Sequence, residues 1–242
     1  MNPTPERLRA IITGASSGIG KATALTFAKA GISVALVSRS LDKLTAVENA
    51  VRTVGVEAKA YPIDLAEVKT VKDKIAAIAA EFGPIDILVN SAGIGYTNPL
   101  RKTSLTDWQQ VIDLNLTSVF QCIQGILPQM RDRRRGTIVN IASIAANNSF
   151  PDWGAYSVSK AALIALAKTL AVEERANGIR VVNISPGAVN TSLWDTETVQ
   201  ADFPREAMLT PEIVAQSILY TVLLPAQAVV EEMIVMPSGG SL

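Results

Sequence analysis

Histidine is absent from the 242 residues. That absence removes Ser-His-Asp triads, imidazole general bases and His-ligated metal sites together. Cysteine occurs once, at Cys122, so neither an intrachain disulfide nor a Cys-rich zinc or iron–sulfur site is available. Cys122 lies in the mostly apolar run Val119-Phe120-Gln121-Cys122-Ile123 and reads as a small core side chain; as a nucleophile it has no imidazole to activate it. Net charge is lacking too, with 22 basic against 22 acidic residues, so no global field recruits nucleic acid or an anionic membrane. The sequence has no run of 18 apolar residues, and its greasiest stretch, Ile218 to Val230, is broken by Pro225. The N-terminal Met1-Asn2-Pro3-Thr4-Pro5-Glu6-Arg7 has no apolar segment of signal-peptide type. The expectation is a cytoplasmic protein without nucleic-acid or membrane partners. Its acid–base work is left to Asp, Glu, Lys or Tyr.

What is present is a chain that is 48% apolar, with ordinary usage of glycine (15) and proline (12). At this length about 70–75% of the unfolded surface can be buried, so no staples are needed. Short β-branched runs alternate with longer helical patterns. Leu8 to Thr13, Ile32 to Val37, Val56 to Tyr61, Ile85 to Val89, Thr137 to Ala142, Arg180 to Ile184 and Met233 to Met236 read as strands. Gly18 to Ala30, Leu41 to Val54, Glu67 to Phe82, Thr106 to Met130, Trp153 to Asn177 and Pro211 to Leu224 read as helices. Runs such as Ile85-Asp86-Ile87-Leu88-Val89 are nearly continuous in apolar character, as in a parallel sheet covered on both faces. The reading is one doubly wound α/β domain over residues 1–242, with a seven-stranded parallel sheet of Rossmann type. Arg131, Arg133, Arg134 and Arg135 read as a solvated helix C-terminus that complements the dipole, with an anion site as the alternative.

Open parallel sheets bind ligands at the carboxyl ends of their strands, near the switch point. The first strand runs there into Thr13-Gly14-Ala15-Ser16-Ser17-Gly18-Ile19-Gly20. Gly14 permits a sharp turn, Gly18 lets the backbone approach a pyrophosphate, and Gly20 lets the helix pack against its strand. Tyr156 and Lys160, four apart at the start of the fifth helix, share a face. A phenol has a pKa near ~10 in water, and a fixed cation nearby pulls it toward the working range. Alone, that spacing also fits an amphipathic helix surface. Ser143 follows the strand that precedes this helix, where its hydroxyl can bind a substrate oxygen. Asn115 stands in the helical pattern Val111-Ile112-Asp113-Leu114-Asn115-Leu116, where an amide is not favoured; it reads either as a site residue or as a buried Asn satisfied by backbone.

These motifs, with Asp64-Leu65, Asn90-Ser91-Ala92-Gly93 and Pro186-Gly187 after later strands, resemble the short-chain dehydrogenase/reductase family over essentially the whole chain. Ser91 departs from the second Asn common in that family. The ending Met236-Pro237-Ser238-Gly239-Gly240 departs from the Asn-Gly-Gly of its 3-oxoacyl-carrier-protein reductases. The resemblance implies hydride transfer between a nicotinamide and a ketone or secondary alcohol. Tyr156 would be the proton donor or acceptor, and Ser143 would polarise the substrate oxygen. Lys160 would lower the Tyr pKa and bind the nicotinamide ribose, and Asn115 would hold a water that links Lys160 to a proton relay. On the cofactor side it implies Gly14, Ser16, Ser17, Gly18, Ile19 and Gly20 for the phosphates. Asp64 and Leu65 would flank the adenine and Asn90 its ribose, with Ala92 and Gly93 beside it. Pro186, Gly187, Val189 and Thr191 would take the nicotinamide end. Residues 190–210 resemble a substrate lid whose apolar content suits a substrate with hydrophobic bulk. The other readings on the same fold are an idle dinucleotide-binding regulator and a hydride-mediated epimerase.

The second strand ends in Ser38-Arg39-Ser40, with no acid until Asp42 to accept a free ribose 2′-hydroxyl. The Arg39 guanidinium suits a 2′-phosphate instead, so NADP(H) is expected, with NAD(H) as the weaker alternative. Ser17 stands where some NADP-preferring relatives carry a second basic residue. The helices around Trp108 to Met130 and Trp153 to Leu170 carry surplus apolar positions, with small Ala161, Ala162, Ala165 and Ala167. By resemblance they pair across a two-fold axis into a homodimer or homotetramer.

Overall fold

The computed structural model describes residues 7–201 and 203–240, so Met1 to Glu6 of the N-terminal reading above lie outside the described residues. Seven strands among these residues form one wholly parallel sheet in the order β3-β2-β1-β4-β5-β6-β7. They are β1 (Arg9–Thr13), β2 (Ser33–Ser38), β3 (Ala58–Pro62), β4 (Ile87–Asn90), β5 (Gly136–Ile141), β6 (Ile179–Pro186) and β7 (Glu232–Val235). The helices are α1 (Gly18–Lys29), α2 (Leu41–Arg52), α3 (Val68–Phe82), α4 (Leu105–Ile112), α5 (Ser118–Arg133), α6 (Gly154–Glu174) and α7 (Pro211–Val222). The order in which strands are added to the sheet reverses at β1, which pairs with β2 on one side (Ala10 with Val34) and β4 on the other (Ala10 with Ile87). A crevice opens there at the carboxyl edge.

Successive strand residues point to opposite faces, and both faces are apolar. Ile12, Leu36, Val89, Val139 and Val182 face α1, α2 and α7, among Phe27, Leu44 and Ile218. Ile11, Leu88, Ile138 and Val181 face α3, α5 and α6, among Ile75, Ile126 and Leu163. Cys122 is buried in this second layer, where burial pushes its thiol up to about 12. Ala167 is also buried against the sheet, so of the four alanines marked for helix pairing it faces inward, while Ala161 and Ala165 are exposed.

The helix expected from Thr106 to Met130 is broken. Ser104 caps α4 by accepting from the Asp107 N–H at 3.0 Å, and a π turn, Asp113–Thr117, separates α4 from α5. The turn rotates Asn115 to a fully buried position, and such insertions concentrate at functional sites. The longest helix, α6 with its following turn (Gly154–Asn177), is by length and composition apolar enough to cross a membrane. Here it lays Leu163, Ala167 and Leu170 onto the sheet.

At the opposite edge the arginine run is engaged with the protein. Arg133 and Arg135 reach Asp86 Oδ1 at 2.5 and 3.3 Å, Arg131 reaches Glu174 at 3.5 Å, and Arg134 donates to the Ala176 carbonyl at 2.6 Å. Asp86 also accepts from the Arg9 backbone N–H at 3.0 Å. The run closes the amino-terminal edge of the sheet and leaves the carboxyl edge free for a site.

Candidate active site

The turn after β1 is built so that only glycine fits. Gly14 and Gly18 have φ of 67° and 50°. A Cβ on Gly20 would stand 2.4 Å from the Gly14 carbonyl oxygen, and one on Gly14 would stand 2.9 Å from the Ala92 backbone. Ser17, the N-cap of α1, makes no side-chain capping bond, so the leading N–H groups stay open to an anion. Thr13 Oγ1 accepts from the Ser91 and Ala92 N–H groups, both at 3.1 Å, and thereby staples the β1 and β4 turns together. Above them lies a cleft of about 520 Å³ whose walls include Gly14, Ser16, Ser17, Gly18, Ile19, Asp64, Leu65, Ala92, Gly93 and Thr191. Arg39 closes the far end with Ser38, Ser40 and Lys43. Lys43 was not foreseen; it sits four residues past Arg39 on the first turn of α2, a spacing that was visible.

Asn90 is not in that wall. Its side chain is buried beneath the turn and donates to Asn140 Oδ1 at 2.9 Å. The two residues are in register across β4 and β5, and Asn140 is in register with Asn183 on β6. The Asn90 side chain is thus turned toward Asn140, and Ser91 to Gly93 face the cleft.

A second, smaller cavity of about 150 Å³ continues from the cleft. Ser143, Tyr156, Lys160, Pro186, Gly187 and Val189 line it, and Ile19, Gly93 and Thr191 border both spaces. Ser143 leaves β5 as the cap of a short 3-10 turn, its Oγ accepting from Ala145 N–H at 3.1 Å. Tyr156 lies in the first turn of α6. One turn on, Lys160 is buried and donates to the Ile141 carbonyl at 2.8 Å, with Nζ 5.7 Å from the Tyr156 ring centroid.

Burial sets the proton affinities here. It raises the Tyr156 phenol above its ordinary value, and a hydrogen bond with Ser143 pulls it partly back. Burial also presses the Lys160 ammonium down to about 8. The Lys160 cation lies over the ring's face and is tied to the Ile141 carbonyl.

Asn115 supports this corner from below. Its Oδ1 accepts from the Ile94 N–H at 2.9 Å, and its Nδ2 donates to the Ile94 carbonyl at 3.0 Å and to Ser159 Oγ at 3.1 Å. Ser159 Oγ in turn donates to the Tyr156 carbonyl at 2.7 Å. The Asn115 amide thus fixes the Ile94 backbone and the turn that carries Tyr156.

The outer wall is aromatic. Trp153 packs edge-on to Tyr156 (centroids 5.2 Å apart) and to Trp194 (5.7 Å), and Trp194 packs on Phe203 (5.5 Å). Trp194 and Phe203 come from the irregular segment after β6, and the Trp194 Nε1–H donates to the Val189 carbonyl at 2.8 Å. Val189 itself pairs with Leu209, so the segment starts and ends at one place.

The family model for short chain dehydrogenases matches residues 9–202. The chain is 40% identical over 181 residues to the 3-oxoacyl-(acyl-carrier-protein) reductase FabG of Staphylococcus epidermidis, covering 74% of each chain. It is 33% identical over 234 residues to glycine betaine reductase ATRR of Emericella nidulans, spanning 94% of this chain and only 18% of that far longer protein. Among solved structures, an alcohol dehydrogenase from the archaeon Thermococcus sibiricus, complexed with 5-hydroxy-NADP, superposes with a TM-score of 0.88 at 28% identity. That alignment covers 96% of this chain and 97% of the other.

Proposed function

Because the chain belongs to the short-chain dehydrogenase family, an oxidoreductase family, we propose that it is a cytoplasmic NADP(H)-dependent reductase of ketones, or oxidant of secondary alcohols, with apolar bulk. The observation that carries the reading is the convergence of Ser143, Tyr156 and Lys160 on a cavity that opens from the glycine-built cleft. The cleft fits a dinucleotide: side chains at Gly14 and Gly20 would meet backbone and close it. The turn from Gly14 to Gly20 would hold the pyrophosphate, Asp64 and Leu65 the adenine, and Pro186, Gly187, Val189 and Thr191 the nicotinamide end. Arg39 and Lys43, with the Ser38 and Ser40 hydroxyls, would hold a 2′-phosphate. When bound, the nicotinamide supplies or accepts the hydride.

The chain's own part is proton handling. In reduction the Tyr156 hydroxyl donates its proton to the substrate oxygen, and in oxidation it takes one; Ser143 donates a hydrogen bond to the same oxygen. Lys160 contributes positive charge beside the phenol, and Asn115 positions Tyr156 through Ser159. The loss of NADPH absorbance across a panel of ketones tests the proposal. Consumption that depends on the ketone supports it; tight NADPH binding without consumption on any carbonyl replaces it with an idle binder, and racemised alcohols with an epimerase. The same reading includes a homodimer or homotetramer paired through α5 and α6, whose Phe120, Val158 and Val172 are exposed. Light scattering near the 25.7 kDa monomer would overturn that part.

A further inference from the structure

The pocket beyond Tyr156 is small, and most of its lining is apolar. At about 150 Å³ it is far smaller than the cleft beside it. Pro186, Gly187, Val189 and Thr191, which would take the nicotinamide end, line part of the pocket, so the substrate is left the part walled by Ser143, Ile144, Phe150, Trp153, Trp194 and Phe203. Lys160 is the one charged side chain in its lining, and its ammonium already donates to the Ile141 carbonyl. Arg205, on the same irregular segment as Trp194 and Phe203, is engaged by the protein: it pairs with Asp195 and donates to Asn190 Oδ1 and the Thr191 carbonyl. Apart from Lys160, the lining of the pocket offers no cation to a carboxylate or phosphate on the substrate.

The wall itself has a direction. Tyr156, Trp153, Trp194 and Phe203 meet in series at interplanar angles of 70°, 67° and 87°. Each ring presents its edge to the next ring's face, the arrangement aromatic quadrupoles prefer, at centroid spacings between about 4.5 and 7 Å. Trp194 cannot turn its N–H toward a polar substrate, because that donor is spent on the Val189 carbonyl. It offers the pocket only hydrocarbon.

We infer that this site takes a compact, uncharged ketone or secondary alcohol with a single aromatic ring adjoining the reacting carbon, and that Trp194 is the residue that selects the ring. This rests on the reductase reading above and narrows its substrate class. It separates the chain from enzymes that act on 2-oxo acids, which need a free cation in the pocket.

The full chain, saturated with NADPH, is compared on acetophenone, 2-octanone with the same carbon number, pyruvate and acetoacetyl-coenzyme A. Binding of 1-phenylethanol is followed in parallel by calorimetry on the wild type, Trp194→Ala and Trp194→Phe, with circular dichroism to establish that each variant folds. The expected result is a kcat/KM for acetophenone roughly tenfold above that for 2-octanone, and higher still above the charged ketones. Trp194→Ala should raise KM for acetophenone and weaken 1-phenylethanol binding by about tenfold, with a smaller change in kcat, and Trp194→Phe should recover most of both. Equal or better turnover of 2-octanone, pyruvate or the thioester overturns the inference and leaves the reductase reading intact. So does a folded Trp194→Ala whose KM and binding are unchanged. Ring binding without turnover of any ketone overturns the reductase reading, and with it the claim that the ring compound is a substrate.

Discussion

On the β1 and β2 side of the switch point the site is shaped by main chain. Gly14, Gly18 and Gly20 define the cleft by what they lack, and Thr13 fixes it by accepting two backbone N–H groups. On the β5 and β6 side the pocket is shaped by side chains: Ser143, Tyr156 and Lys160 on the floor, Trp153, Trp194 and Phe203 on the wall. The first region is wide and polar enough for any dinucleotide of one shape; the second is tight and specific to its own residues. A glycine rule is written in sequence, because a missing Cβ is a property of one residue. An aromatic wall is not, because its members come from separated segments and meet only after folding.

Three experiments probe that division, in descending size of effect. Tyr156→Phe removes one proton from the side-chain half. The proposal requires kcat to fall by about 10²–10⁴-fold, while calorimetric NADPH affinity, which belongs to the main-chain half, hardly changes. A variant with more than a tenth of the wild-type kcat would dismiss Tyr156 as the proton donor.

Lys160→Met tests whether the side-chain half is held at a cost to stability. Burial depresses the ammonium from 10.5 to about 8. Between those values the unfolded chain binds the proton that the native state has lost, so native stability rises with pH across that window. Below pH 8 the full penalty applies, about 3 kcal/mol before credit for the hydrogen bond to Ile141. Lys160→Met should therefore be inactive yet more stable than the wild type at pH 7 by about 1–3 kcal/mol in urea titrations. The advantage should fade toward pH 10, and a variant less stable at pH 7 contradicts the argument.

Arg39→Ala carries the smallest change and acts at the far end of the main-chain half. Loss of one charge-assisted hydrogen bond should lower kcat/KM for NADPH by roughly ten- to a hundredfold and leave NADH almost untouched. The lower figure is expected if Lys43, on the next turn of α2, keeps hold of the phosphate. Equal losses with both cofactors would show that Arg39 serves the fold instead.

Much of this architecture was legible beforehand. The seven apolar runs became the seven strands, with boundaries displaced by at most two residues, because a doubly covered parallel sheet demands continuous apolar strands. Ser143, Tyr156 and Lys160 converge because a strand end and the following helix start must meet at the carboxyl edge. The failures are tertiary. The π turn between α4 and α5 exists where Asn115 satisfies both backbone groups of Ile94, a partner 21 residues away. The resemblance gave Asn90 a ribose contact, whereas the bond of its side chain to Asn140, 50 residues on, depends on the register of β4 with β5. The depressed Lys160 ammonium depends on how deeply α6 sinks beside β5, which spacing along a helix does not encode.

The pairing of Val189 with Leu209 reaches further than the wall it supports. A stretch whose two ends touch can be lengthened, shortened or exchanged without moving the strands that flank it, since doubling a loop costs only about 0.6 kcal/mol in closure entropy. Leu193, Trp194 and Phe203 lie inside that stretch, whereas Ser143, Tyr156, Lys160 and the glycine turn lie outside it. Selection can rewrite what this fold recognises within that one stretch, past Thr191, and leave the proton-handling residues and the glycine turn untouched.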